Sequence, residues 1–109
     1  MALFQVKLVA SDGSPNRTTI KSASSDIAIT TIFICNTDTS ARTVNLYLID
    51  GSIPGTLSDD NAIWKDISIA AKDTFVMNNE RIILASGDVL YGNASVANKV
   101  MVTGTFTTI

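Results

Sequence analysis

An all-β fold is what this sequence predicts: one antiparallel β-sandwich, of jelly-roll or immunoglobulin-like type, with eight to nine short strands in a single domain over residues 1–109. Three observations carry that expectation. Runs of four to ten residues rich in Ile, Val, Thr and Phe recur along the chain. Turn chemistry separates them every ten residues or so, a spacing typical of sandwiches and barrels. No segment sustains a helical period.

The organising stretch is 27–50, IAITTIFICNTDTSARTVNLYLID, read as two long strands around the polar turn NTDTSA. In its first strand Ile27 and Ile29 share a parity, and Ile32 and Ile34 take the other. A change of phase inside one strand suggests a bulge near Thr30 and Thr31; the alternative is a strand buried on both faces. In the second strand Val44, Leu46 and Leu48 lie on one face, and Asn45, Tyr47 and Ile49 on the other.

From the start of the chain, residues 3–10 alternate with Phe4, Val6 and Leu8 on one side and Gln5 and Lys7 opposite. Residues 11–17 (SDGSPNR) make a turn, because Asp-Gly and Ser-Pro are strong breakers. A short strand around Ile20 follows. Beyond the central hairpin, residues 62–70 (AIWKDISIA) read as a strand with Ile63, Lys65, Ile67 and Ile69 on one parity. Residues 74–77 and 82–85 are short strands on either side of NNER. Residues 89–94 are a strand in which Gly92 marks a bulge or a close contact. The last strand, 100–108, places Val100, Val102 and Phe106 against Met101, Thr103, Thr105 and Thr107, and a threonine row suits an exposed sheet face. The expected core is Phe4, Val6, Leu8, Phe33, Leu46, Leu48, Ile67, Ile69, Leu84, Val100 and Val102.

A chain of 109 residues buries roughly 65% of its unfolded surface and folds without staples. The single cysteine, Cys35, excludes an internal disulfide and sits in an apolar strand as a small hydrophobe. The net charge is −2 with no basic run, so nucleic-acid binding lacks its electrostatic footprint. The opening MALFQVKLV has no charged region before an apolar block and does not read as a secretion signal. No apolar stretch reaches membrane-spanning length. The sequons at Asn16 and Asn93 are therefore read as unmodified.

Histidine is absent, which removes the usual general base and the commonest transition-metal ligand. The six glycines form neither a dinucleotide fingerprint nor a phosphate loop. The expectation is a non-enzymatic protein with no cofactor. The longest irregular stretch, 50–61 (DGSIPGTLSDDN), carries Asp50, Asp59 and Asp60, three carboxylates that would suit Ca²⁺ if gathered, although their spacing matches no EF-hand. A solvated loop is the simpler expectation. Trp64 beside it is read either as a core anchor or as an interface or sugar-stacking residue.

The segments TTIFICNTDTSARTVNLYLI, NAIWKDISIAAKDT and RIILASGDVLYGNAS resemble small virion proteins of tailed bacteriophages. The shared pattern is a strand ending in Cys35-Asn36, a polar turn, a second apolar strand, the apolar-Lys-Asp-Ile segment at Trp64, and then Gly87-Asp88 before the last strands. The likeness covers about 27–104 of this chain. It implies a structural role in the virion, as a head decoration (cement) protein or a tail or fibre accessory, assembled in the host cytoplasm against a major capsid or tail protein. It implies no catalytic residues. The immunoglobulin pattern fits less well, because the paired cysteines around a buried Trp are missing. A carbohydrate- or host-surface-binding sandwich and a bacterial adhesion or assembly module are the alternatives.

The central hairpin is apolar on both faces, where a sheet with one wet face alternates apolar and polar residues. One set fills the sandwich and the other must meet a loop of the same chain, a second subunit or a capsid or tail partner; a partner is favoured, because a sandwich of this size has few spare elements to cover an outer face. The expected interface residues are Ile32, Ile34, Tyr47, Ile49 and Trp64, in a homo-oligomer or on a larger shell, with neither nucleic acid nor membrane as partner.

Overall fold

The computed structural model describes residues 2–51, 57–78 and 81–109. Nine strands lie among them: β1 (Ala2–Lys7), β2 (Thr18–Ser22), β3 (Ile27–Asn36), β4 (Arg42–Ile49), β5 (Ala62–Ile69), β6 (Thr74–Met77), β7 (Ile82–Leu84), β8 (Val89–Ala94) and β9 (Val100–Thr108). They form two antiparallel sheets. Sheet A runs β1-β9-β3-β6, with β7 also on β3, and sheet B runs β2-β8-β4-β5.

The order of crossing decides the architecture. The chain passes from sheet A to sheet B and back at almost every connection; only β4–β5 and β6–β7 stay within a sheet. With β6 and β7 counted as one interrupted strand, this is the eight-strand jelly roll of two Greek keys. The immunoglobulin alternative fails because β1 and β2 lie in opposite sheets.

The core fills the space between the sheets. Leu8, Ile29, Ile32, Ile34, Leu84, Val100 and Val102 come from sheet A and its flank, and Val44, Leu46 and Leu90 from sheet B; none is more than 1% exposed. Phe4, Val6, Leu48, Trp64, Phe75 and Met77 close its margins. Two glycines make room for large neighbours. A Cβ on Gly104 would enter the ring of Phe4, and one on Gly92 would come within 2.7 Å of Ile20 and 3.0 Å of Leu46. Gly92 thus marks a close contact, one of the two roles expected of it.

The expected phase change in β3 is present. The pairing with β9 shifts register between Ile29 and Thr31, so Thr30 is the extra residue. Its hydroxyl lies 2.7 Å from that of Thr105. A bulge inserts one residue and reverses the facing of everything after it. Ile27 and Ile29 before it and Ile32 and Ile34 after it therefore all point inward.

The same device occurs unannounced in β5. Val44 pairs with Ile67, but Leu46 pairs with Trp64, so the register slips between them. Asp66 sits there with φ of 54°, and its N–H donates to Asn45 Oδ1 at 2.7 Å. Ile67 and Ile69 and also Trp64 thereby face the core, while Ile63 is turned out and is 39% exposed. The single parity expected for Ile63, Lys65, Ile67 and Ile69 is corrected accordingly.

Asn36, fully buried, fastens the β3–β4 turn to the end of β5. Its Nδ2 donates to Ser40 O at 2.9 Å and Ile69 O at 3.0 Å, and its Oδ1 accepts from Asp38 N–H at 3.0 Å. A buried amide is tolerated because each polar atom finds a partner.

Candidate functional site

The interior is filled by apolar side chains, so the residues open to a ligand or partner lie on the outer faces and edges of the two sheets. On sheet B the outward residues of β4 and β8 are Asn45, Tyr47 and Ile49, paired in register with Asn93, Tyr91 and Val89. Asn45 Nδ2 donates to Asn93 Oδ1 at 2.8 Å, and Asn93 Nδ2 donates to Asn16 O at 2.8 Å. This amide chain ties the β5 bulge to the segment before β2. The Arg17 guanidinium lies 4.4 Å from the Tyr91 ring centre. Lys65 Nζ stands 3.4 Å from Tyr47 Oη and 3.4 Å from Asp59 Oδ1. The contact with Tyr47, and then that with Asp59, raises the Lys65 ammonium above its ordinary value.

These neighbours correct the expected interface. Ile32 and Ile34 are 0% exposed and lie between the sheets. Tyr47 and Ile49 do face outward on sheet B, but they are 4% and 9% exposed. A side chain already enclosed has little surface left to give a partner. Trp64 is half-buried and meets Phe75 edge-on with ring centres 5.0 Å apart. It serves as a margin of the core, and with Leu48, Met77, Arg81 and Ile82 it lines a shallow cleft of about 290 Å³.

The open surface is the outer face of sheet A. Phe33, expected in the core, is 41% exposed there, because the Thr30 bulge gives the inward positions to Ile32 and Ile34. One cross-strand row reads Gln5, Thr103, Phe33, Val76, and the next reads Lys7, Met101, Cys35, Thr74. Val76 is 45%, Ile83 54% and Leu3 68% exposed on the same face. Thr31, Thr103, Thr105 and Thr107 fill the positions between them, and Gln5 Nε2 donates to Thr103 Oγ1 at 2.8 Å. Phe33 and Val76 are thus direct cross-strand neighbours, while Leu3 and Ile83 stand apart from them on the same face.

Residues 52–56, inside the loop expected to carry function, lie outside the described residues. Beyond them, Ser58 caps a short 3₁₀ turn, Asp59–Asn61. The structure does not bring Asp50, Asp59 and Asp60 together: among the described residues no three acidic, His or Cys side chains are placed to hold a metal ion. Asp50 instead lines a second cleft, of about 270 Å³, with Arg17, Tyr91, Ile49, Val89, Gly51 and Gly87. The Asn93 sequon is closed, since that residue is 3% exposed. Among the described residues no helix is long and apolar enough to cross a membrane.

Comparison with protein-family models, curated proteins and solved structures finds no match for this chain.

Proposed function

We propose that this protein is a non-enzymatic structural component of a tailed-bacteriophage virion, a head decoration (cement) protein or a tail or fibre accessory. It works by protein–protein contact with a major capsid or tail protein. The observation that supports this reading best is the uncovered outer face of sheet A, with Phe33, Val76 and Ile83 exposed beside a threonine row. The jelly roll is compatible with it, being a fold used by viral capsid domains, although fold alone never assigns function. The resemblance of the hairpin, the Trp64 segment and the Gly87-Asp88 segment to phage virion proteins supplies the class of partner.

The test is binding to phage particles that lack this protein. The wild-type chain is expected to sediment with them, and the double variant Phe33→Asp, Val76→Asp is expected to stay in the supernatant while keeping its β circular dichroism. A double variant that still binds would show that another surface makes the contact.

The alternative reading, a carbohydrate- or host-surface-binding module, draws on one observation: the second cleft combines Arg17 stacked on Tyr91 with Asp50 and two glycines. Glycan binding lost in Arg17→Ala, with no affinity for particles, would favour it.

A further inference from the structure

A jelly roll has four edge strands, and each exposes unpaired backbone groups that invite another chain. Three of these edges are interrupted. β2 shifts register between Thr19 and Lys21. β5 shifts twice and carries the left-handed Asp66 next to Lys65. The last edge is split into β6 and β7, four and three residues long. Irregular, short and charged edges are how sheets prevent unwanted pairing. β1 carries no such break. Its register with β9 is continuous from Ala2↔Phe106 to Lys7↔Met101.

The phase of β1 can be read from its end. Leu8 N–H donates to Val100 O at 2.9 Å, so the even-numbered residues exchange bonds with β9. Val9, of the other parity, points its N–H away and donates to Thr18 Oγ1 at 2.9 Å. Leu3, Gln5 and Lys7 therefore direct both N–H and C=O out of the sheet, and their side chains are exposed.

We propose that β1 pairs antiparallel with β1 of a second copy, making one continuous sheet A across a two-fold axis. Opposed residues in a sheet share a face, so the numbers of each opposed pair must add to an even total. The register that uses every outward group sets Gln5 against Gln5 on the axis and Leu3 against Lys7. It makes about six interchain hydrogen bonds, since each outward-facing pair exchanges two. It also sets Phe4 against Val6 on the inner face, apolar beside apolar. The two lysines fall at opposite ends, roughly 13 Å apart at the usual rise per residue. Such an interface is isologous and closes at two copies. It brings the exposed outer faces of two copies into one plane, and thus deepens the proposed function by giving a particle partner a bivalent surface.

The experiment is light scattering of the full chain without particles, on wild type and Gln5→Pro. Proline at position 5 removes an outward N–H and none of the backbone bonds to β9, at the cost of the exposed side-chain bond from Gln5 Nε2 to Thr103 Oγ1, and it sits where an edge strand accepts it. Wild type is expected at twice the monomer mass and Gln5→Pro at the monomer mass, with unchanged circular dichroism. A monomeric wild type, or a folded Gln5→Pro that stays dimeric, would overturn the pairing. Should Gln5→Pro not fold, Gln5→Cys in a Cys35→Ser background decides. Opposed Cα atoms at the axis lie about 5.5 Å apart, within disulfide reach. Oxidation is expected to yield a covalent dimer, and its failure to do so at micromolar protein would refute the register. A monomer that still binds particles sinks the pairing alone, whereas a dimer that ignores them sinks the virion reading alone.

Discussion

The two outer faces of this sandwich solve the same problem in opposite ways. On sheet B the apolar outward residues Tyr47 and Ile49 are closed off by their own chain: Tyr91 and Val89 lie alongside, Lys65 reaches Tyr47, and the Asn45–Asn93–Asn16 chain binds the β5 bulge to the segment before β2. On sheet A, Phe33 and Val76 stand beside threonines and are left open. Apolar content in a strand thus says little about exposure. What decides is whether neighbouring elements carry side chains long enough, and loops close enough, to lie across the face. Among the described residues sheet B has them and sheet A does not, so Phe33 and Val76 stay open to water.

The sharpest way to break this contrast uses two adjacent residues. Ile34→Asp puts a carboxylate among Val102, Phe75 and the rest of the core and is expected to unfold the protein, a loss of more than about 4 kcal/mol. Phe33→Asp, one residue earlier, is expected to cost less than about 1 kcal/mol, because its side chain faces water. Urea denaturation followed by Trp64 fluorescence separates the two. Equal losses would mean that the facing of β3 is wrong. A smaller effect tests the closed face. Asn45→Ala leaves Asp66 N–H and Asn93 Oδ1 without their partner and is expected to cost about 1–3 kcal/mol. Raised hydrogen exchange at Asp66 should accompany it, and no change there would show that the amide chain does not hold the bulge.

The smallest effect is electrostatic. The Asp38 carboxyl is held below its ordinary value of 3.8, first by the Thr39 N–H and then by Arg42, whose Nη2 lies 2.7 Å from Asp38 Oδ2. A folded value below the unfolded one means that the unfolded chain takes up the proton first. The contribution is therefore complete above the ordinary value and is lost as pH falls through the lowered one. Asp38→Asn should lower neutral stability slightly and flatten the acid end by the same small amount, so that variant and wild type converge below pH ~4, since an ion pair within reach of water contributes little. A large neutral-pH loss would show that the turn depends on the charge.

Much of the fold was legible in local chemistry. Breakers such as Asp-Gly and Ser-Pro placed the turns, and the parity switch from Ile29 to Ile32 located the β3 bulge, because both halves of that strand had to be apolar on the core side. The bulge in β5 left no such trace. Ile63 happens to share the parity of Ile67 and Ile69, so an unbroken strand satisfied the pattern equally well, and only pairing with β4 shows that Trp64 faces in. The candidate site divides in the same manner. That the hairpin is apolar on two faces is written in its residues. Which face is core was not, because Phe33 and Ile34 are both suited to burial, and the choice depends on an extra residue at Thr30 and on what packs across from it. That Tyr47 is covered while Phe33 is open also depends on partners distant in the chain, Tyr91 and Val76, which only the folded arrangement brings beside them.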